Sequence, residues 1–326
     1  MIQKLWYSSS ILSWLLSPFA LLFWLITSCR RWCYRVGLLK SFRADCLVIV
    51  VGNISVGGNG KTPVVIWLVE RLKAAGYHPG VVSRGYGGKA PYYPYVLSDD
   101  STPDLAGDEP TMIYQRCHCP VVVAPSRTDA VKKLREQHSV DVVICDDGLQ
   151  HYALQRDIEL VIVDGVRRFG NGFLLPMGPL RETASRVRSV FATIVNGSEA
   201  KRGEISMRLE PARIRRVSDH QMIALSPEIP VDAMAGIGYP PRFFRTLESL
   251  GYTLQQQVAF PDHHAFDATE LKQRFGSHPL IMTEKDAVKC RSYALPNWYY
   301  LPVDAVLTAE FEQRLLTRLK ELHHGT

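Results

Sequence analysis

A chain of 326 residues, 46% of them hydrophobic, is long enough for one large or two medium domains and too apolar to be disordered. Its formal net charge of +6 is placed unevenly. Lys4, Arg30, Arg31, Arg35, Lys40 and Arg43 all precede the first acid, Asp45, and the 32 basic and 32 acidic residues beyond them balance, which excludes a globally basic nucleic-acid binder.

The seven cysteines form no C-x-x-C pair, and one residue between Cys117 and Cys119 is poor spacing for a tetrahedral zinc site. Reduced thiols in a cytoplasmic compartment are therefore expected.

No charge lies between Lys4 and Arg30, and residues 11–27 are almost continuously apolar, with Trp6, Tyr7, Trp14, Trp24, Trp32 and Tyr34 in and around them. This is a membrane-seeking segment without the small-residue cleavage site of a signal peptide. About 20 apolar residues suffice to span a bilayer, but Pro18 is expected to break the middle of the run, and serines at 8–10, 13, 17 and 28 dilute it. A spanning helix and a dipping or in-plane anchor are equally open. In either geometry the basic cluster after it favours the cytoplasmic face, through the positive-inside rule and anionic headgroups.

The next stretch, from Val48 to Pro63, reads as a buried strand, a glycine-rich turn and a helix start. Ser55, Val56, Gly57, Gly58, Asn59 and Gly60 can fold tightly enough to aim backbone N–H groups at a polyphosphate on the helix N-terminus. Lys61 then reaches the β- and γ-phosphates and Thr62 binds Mg²⁺. The general phosphate-loop pattern has glycine where Ser55 stands.

A helix over 64–75 and a strand over 80–83 complete a βαβ unit, hence a parallel sheet. That strand delivers Ser83-Arg84-Gly85-Tyr86-Gly87-Gly88, either an anion contact or a mobile turn. Gly107-Asp108-Glu109-Pro110 opens a helix over 111–116, where two acids can simply complement the macrodipole. A strand over 120–124 follows, then a helix to Gln137 capped by Ser126. The strand over 140–145 ends in Asp146-Asp147-Gly148-Leu149-Gln150-His151, where a phosphate-loop protein carries a Mg²⁺-organising carboxylate. After the strand over 160–164, residues 170–182 hold too many glycines and prolines for regular structure. They are expected to form an ordered loop ending in Arg181-Glu182, either a phosphate clamp or a surface ion pair. A strand over 190–195 closes the first domain.

Residues 206–217 read as an exposed linking ribbon. Strands over 222–226, 233–238, 254–260, 279–283 and 298–303 then alternate with helices from 241, 267 and 308 in a second α/β unit. Gly236-Ile237-Gly238-Tyr239-Pro240-Pro241 lacks the third glycine of a dinucleotide loop, so NAD binding is not expected. Phe260-Pro261-Asp262-His263-His264 puts two histidines between a strand and a helix; either is structural unless it finds a partner. Thr283-Glu284-Lys285-Asp286 follows a strand end. The expected layout is an α/β fold: an anchor with its basic flank at 1–43, a phosphate-loop NTPase-like parallel-sheet domain at 44–205, the ribbon at 206–217 and a smaller α/β domain at 218–326.

Taken in order, these motifs resemble the tetraacyldisaccharide 4'-kinase family, the membrane-associated lipid A 4'-kinases of Gram-negative bacteria. The resemblance is nearly full-length and rests on residues 55–63, 83–87, 107–110, 146–151, 178–182, 235–238, 260–264 and 283–286. Leu149 and Thr183 stand where an aromatic residue and a proline are expected. Ser55 fits the family's own loop.

The resemblance implies transfer of the γ-phosphoryl of ATP to the 4'-hydroxyl of a tetraacyldisaccharide 1-phosphate, with membrane lipids as surroundings, at the cytoplasmic face of the inner membrane. Gly57, Gly58, Gly60, Lys61 and Thr62 would hold ATP and Mg²⁺. Asp146 and Asp147 would organise the metal, either one ligating it directly, and Arg127 and Arg181 would be secondary anion contacts. Asp108 would take the hydroxyl proton in partnership with His263, or with His264 in its place. As the two partners are expected on different domains, that base would be complete only on domain closure. A regulatory phosphate-loop ATPase or GTPase and a non-catalytic nucleotide-binding scaffold are the rivals. Both would keep Lys61 and Asp147; neither uses Asp108 with His263.

Overall fold

The computed structural model describes Trp6, Tyr7 and residues 11–324; Lys4 and Ser8 to Ser10 of the N-terminal reading lie outside them. In chain order the principal helices are α1 (Ser17–Arg35), α2 (Lys61–Ala74), α3 (Asp108–Cys117), α4 (Arg127–Gln137), α5 (Pro240–Ser249), α6 (Ala268–Arg274), α7 (Glu284–Cys290) and α8 (Ala309–His324). The strands used below are β1 (Leu47–Gly52), β2 (Pro79–Ser83), β3 (Val121–Val123), β4 (Val142–Asp146), β5 (Ile158–Asp164), β6 (Ala192–Asn196), β7 (Ile205–Pro211), β8 (Arg215–Arg216), β9 (Val231–Ala235), β10 (Leu254–Ala259), β11 (Leu280–Thr283) and β12 (Trp298–Leu301).

The chain divides into two compact units. The first holds Met1–Arg84, Cys119–Arg208 and Ala305–Thr326, and the second Gly85–His118 and Leu209–Asp304. This differs from the division expected along the sequence. Residues 85–118 leave the phosphate-loop unit, and α8 joins it, because Phe311 of α8 stacks on Trp67 of α2 and meets Phe191. A linear reading assigns segments to the nearest neighbour in sequence, whereas burial of a large aromatic such as Phe311, 1% exposed, follows the core it fits.

In the first unit the strands pair in the order β7-β6-β5-β1-β4-β2-β3, all parallel. Every residue of β1 and β4 is buried, which is why these strands read as unbroken apolar runs: helices cover both faces of a parallel sheet. The carboxyl ends of β1, β2 and β4 deliver residues 53–60, Ser83 and Asp146, the edge at which such sheets carry their ligands.

The second unit has its own sheet in the order β10-β9-β11-β12-β8, parallel except for β8. Its core gathers Met234, Phe275, Met282 and Trp298 on one side and Ala233, Phe243, Phe244 and Leu247 on the other. The strand expected over 222–226 does not form; only Met222 makes a single bridge, to Arg215. Four of its five residues are apolar, but Met222 is 59% exposed and the segment has no sheet face to fill.

Pro18 does not break the apolar segment. It sits in the first turn of α1, where a missing N–H costs nothing, so 19 helical residues follow Leu16 without interruption. Residues 13–35 are long and apolar enough to cross a membrane by length and composition.

Candidate active site

The phosphate loop lies between β1 and α2. Gly60 takes a left-handed conformation, φ 87°, and a Cβ there would stand 2.6 Å from Asn196 Nδ2, so glycine is required twice over. No side chain caps α2, which leaves its first N–H groups available to an anion. Cross-bonds hold the loop open. Asn53 Nδ2 donates to the Gly57 carbonyl (3.2 Å), Asn59 Nδ2 to Ser55 Oγ (3.1 Å), Asn196 Nδ2 to the Asn59 carbonyl (3.2 Å) and Val56 N to the Pro179 carbonyl (2.9 Å). Arg167 donates to the Gly58 carbonyl at 2.8 Å.

Lys61 and Arg181 converge on one carboxylate. Lys61 Nζ lies 3.2 Å from Asp147 Oδ1, and Arg181 lies 3.2 Å from Asp147 Oδ2. Burial resists ionisation of Asp147, but the two cations overcome it and hold its pKa below the usual carboxylate range. Asp146, at the tip of β4, is buried and accepts from Ser83 Oγ at 3.0 Å. Thr62, in the first turn of α2, is likewise buried.

Arg127 is not a free anion contact. It is 2% exposed, and its guanidinium donates to the carbonyls of Ala124, Asp146 and Asp147 at 3.1, 3.2 and 3.4 Å. It braces the strand tip because a turn carrying two acids leaves carbonyls that only a buried donor can reach. Gln150 and Tyr152 donate to Glu182 at 2.7 and 2.6 Å, and Arg31 of α1 lies 3.7 Å from the same carboxylate. Nearby, burial and then the charges of Arg127, Arg84 and Arg30 push the His151 pKa down to about 4.

Thr62, Asp146 and Asp147 offer hard oxygen donors with no sulfur or imidazole among them. That set fits Mg²⁺, which is bound through a few oxygens while keeping water and substrate phosphate in its shell. No cluster of three or more His, Cys, Asp or Glu suited to an all-protein metal cage occurs among the described residues.

The second constellation lies wholly within the second unit. Asp108 opens α3 and is 8% exposed; His263 Nδ1 lies 3.0 Å from its Oδ2. The expected assembly by domain closure is therefore corrected, because both residues belong to one compact unit and are already in contact. His264 turns the other way, its ring stacked 5.0 Å from Phe260 and edge-on to Phe266, so the structure brings His263 to Asp108.

Local backbone produces this. Gly107 has φ 91°, and a Cβ on it would meet the Tyr86 carbonyl at 2.6 Å; the Gly85–Gly88 turn thus packs directly on the residue before Asp108. His263 is itself left-handed at φ 60°, in a turn where Asp262 Oδ1 accepts from its N–H at 3.1 Å.

Two lysines of α7 flank the pair and had no role in the sequence reading. Lys285 Nζ is 3.2 Å from His263 Nε2 and 2.8 Å from Asp262 Oδ1. Lys289 Nζ is 3.8 Å from Asp108 and 3.0 Å from Asp286. Their four-residue spacing on one helix face was the available signal, but a helix start at Glu284 was not foreseen. Burial opposes ionisation of Asp108; the His263 hydrogen bond and the two lysines prevail and lower its pKa. Asp286, fully buried, accepts from Gly236 N (2.8 Å) and Thr283 Oγ1 (2.6 Å), so the 235–238 and 283–286 motifs form a brace behind the pair.

A family model described as Tetraacyldisaccharide-1-P 4'-kinase matches residues 12–320. A tetraacyldisaccharide 4'-kinase of Tolumonas auensis is 64% identical over 325 residues, 100% of this chain and 99% of that protein. One from Aeromonas hydrophila is 62% identical over 319 residues, covering 98% and 96%. Among solved structures, LpxK from Aquifex aeolicus in complex with ATP superposes with a TM-score of 0.81 at 28% identity, over 95% of this chain and 99% of that one.

Proposed function

This chain belongs to the tetraacyldisaccharide-1-P 4'-kinase family of lipid A biosynthesis, and on that premise we propose how its residues perform the transfer. ATP lies with its phosphates on the loop of residues 55–60 and the N-terminus of α2. Lys61 leaves Asp147 for the β- and γ-phosphates, and Arg181 is the second cation able to follow. Mg²⁺, held by Thr62 with Asp146 or Asp147, would neutralise charge on the transferred group.

The acceptor is the 4'-hydroxyl of tetraacyldisaccharide 1-phosphate, and its proton goes to Asp108, supported by His263. A carboxylate of lowered pKa is a weak base. In a loose, metaphosphate-like transition state, however, the attacking hydroxyl loses its proton late, so an ionised and well-placed acceptor suffices. The single observation that carries this reading is the 3.0 Å contact between Asp108 and His263, which a nucleotide switch has no use for. With γ-labelled ATP and lipid acceptor, label should enter a chloroform-soluble species. Label found only as free phosphate would favour the regulatory ATPase or GTPase.

We further read α1 as lying in the membrane interface at the cytoplasmic face, with neither end carried across. At 1.5 Å per residue its 19 residues span about 28 Å, yet the first unit is touched both by the chain just before α1 and by the C-terminal half of the helix. Trp6 Nε1 donates to the Pro176 carbonyl (2.9 Å), the Trp14 ring meets Phe173 at 5.6 Å, and Arg30 donates to the Gln150 carbonyl (3.2 Å). Leu21, Leu22, Leu25 and Ile26 stay exposed for lipid. With Cys29 and Cys33 of α1 replaced by Ser, a thiol introduced by Leu15→Cys should react with an impermeant maleimide in inverted vesicles and not in spheroplasts; the reverse pattern would mean the helix spans.

A further inference from the structure

We propose that Lys285 is a positioning residue of the phosphoryl transfer, one that fixes His263 as the Nδ1–H tautomer and so leaves the Asp108 carboxylate to receive the acceptor's proton. The inference rests on Asp108 and His263 being the base, and adds to it the group that sets their protonation.

The argument is one of donors and acceptors. An ammonium has three donors and no acceptor, so the Lys285 contact with His263 Nε2 at 3.2 Å requires a lone pair on Nε2. The proton then sits on Nδ1, where it is donated to Asp108 Oδ2 at 3.0 Å. The opposite tautomer would set N–H against N–H on one side of the ring and lone pair against carboxylate on the other. An imidazolium would keep the Asp108 bond but set a second cation against the ammonium.

Lys285 is well held for this task. Its side chain is 13% exposed, Asp262 accepts from it at 2.8 Å, and Glu109 lies 3.8 Å away. Burial disfavours its charge, but Glu109 and Asp262 outweigh that and raise its pKa, so it remains an ammonium. The groups facing the imidazole are Asp108 from α3, Lys285 from α7, Asp262 from its own turn at 3.9 Å and the Tyr86 ring at 5.1 Å. Lys289 cannot substitute, because it is committed to Asp286 and the His264 carbonyl, 3.0 and 3.1 Å away, and lies over the Phe266 ring.

The test is made on the full chain in phospholipid–detergent micelles with ¹⁵N-labelled histidine, the His263 ring signals being assigned by their loss in His263→Gln. The expected wild-type result at pH 7 is a neutral ring protonated at Nδ1. In Lys285→Met the ring should gain an Nε2 proton, as imidazolium or as the other tautomer. Its kcat should fall about ten-fold or more with the acid limb of the kcat profile moved to higher pH and the KM for ATP within about two-fold of wild type. Lys285→Arg, which keeps a cationic donor, should retain the Nδ1–H form.

An Nε2–H tautomer in the wild type would overturn the proposal without any variant having to fold. So would an unchanged tautomer and unchanged acid limb in a folded Lys285→Met. Near wild-type turnover in His263→Gln would instead remove the dyad reading, and the tautomer measurement would stand apart from it.

Discussion

Asp147 and Asp108 are the same residue type placed in contrasting surroundings. Both are partly or fully buried, and both have a pKa held below the ordinary carboxylate value despite that burial. Asp147 meets two permanent cations, Lys61 and Arg181, at 3.2 Å each; its charge is already cancelled, and it can give those cations to a phosphate. Asp108 meets an imidazole at 3.0 Å and a lysine only at 3.8 Å. Its charge is stabilised without being neutralised at close range, which suits a proton acceptor. A phosphate site needs cations it can lend, and a base needs a charge it can keep.

The largest expected effect separates the two sites by what is lost. Asp108→Ala should lower kcat for lipid phosphorylation by roughly 10²–10⁴-fold while leaving ATP affinity, measured by equilibrium binding, nearly unchanged. Wild-type turnover at saturating lipid and ATP would erase the contrast. Lys61→Ala should cost about 10²–10³ in kcat and also weaken ATP binding in the same assays; selective loss of lipid affinity would reverse its assignment.

Next comes the brace behind the dyad. Asp286→Ala removes the nearest carboxylate from Lys289, which is 10% exposed, and orphans the Gly236 N–H. It should destabilise the protein by about 3 kcal/mol, read from urea unfolding; a change below about 1 kcal/mol would show that the brace is redundant.

The smallest effect is in acid. Because both carboxylates have folded pKa values below the unfolded value of about 3.9, each adds stability that is complete above that pH and is lost as pH falls through the folded value. The fall in urea midpoint between pH 5 and pH 3 should therefore be shallower in Asp108→Asn and in Asp147→Asn than in the wild type. An equal fall in all three would mean that neither carboxylate is stabilised in the fold.

The two sites also differ in how far a linear reading could reach. The phosphate loop is contiguous, and its glycines, Lys61 and Thr62 carry their geometry with them: the backbone conformation at Gly60 and the helix start at Lys61 are local properties. Asp147 at a strand end was equally legible, since an apolar run followed by two acids has few readings. Arg127 entered as an anion contact through family resemblance, and its burial against the carbonyls of Ala124, Asp146 and Asp147 is a contact no local pattern shows. Asp108 and His263 were paired through family resemblance, and were expected on separate domains because they stand 155 positions apart in the chain.

The sequence by itself determined the parallel sheet, the nucleotide loop, the apolar N-terminal segment and the family, because these depend on periodicity, glycine placement and short-range order. Tertiary structure decided which unit residues 85–118 belong to, that His263 rather than His264 meets Asp108, and that Lys285 stands behind the imidazole. Those are contacts between residues far apart in the chain. They follow from which buried surfaces fit together, which spacing along the chain does not encode.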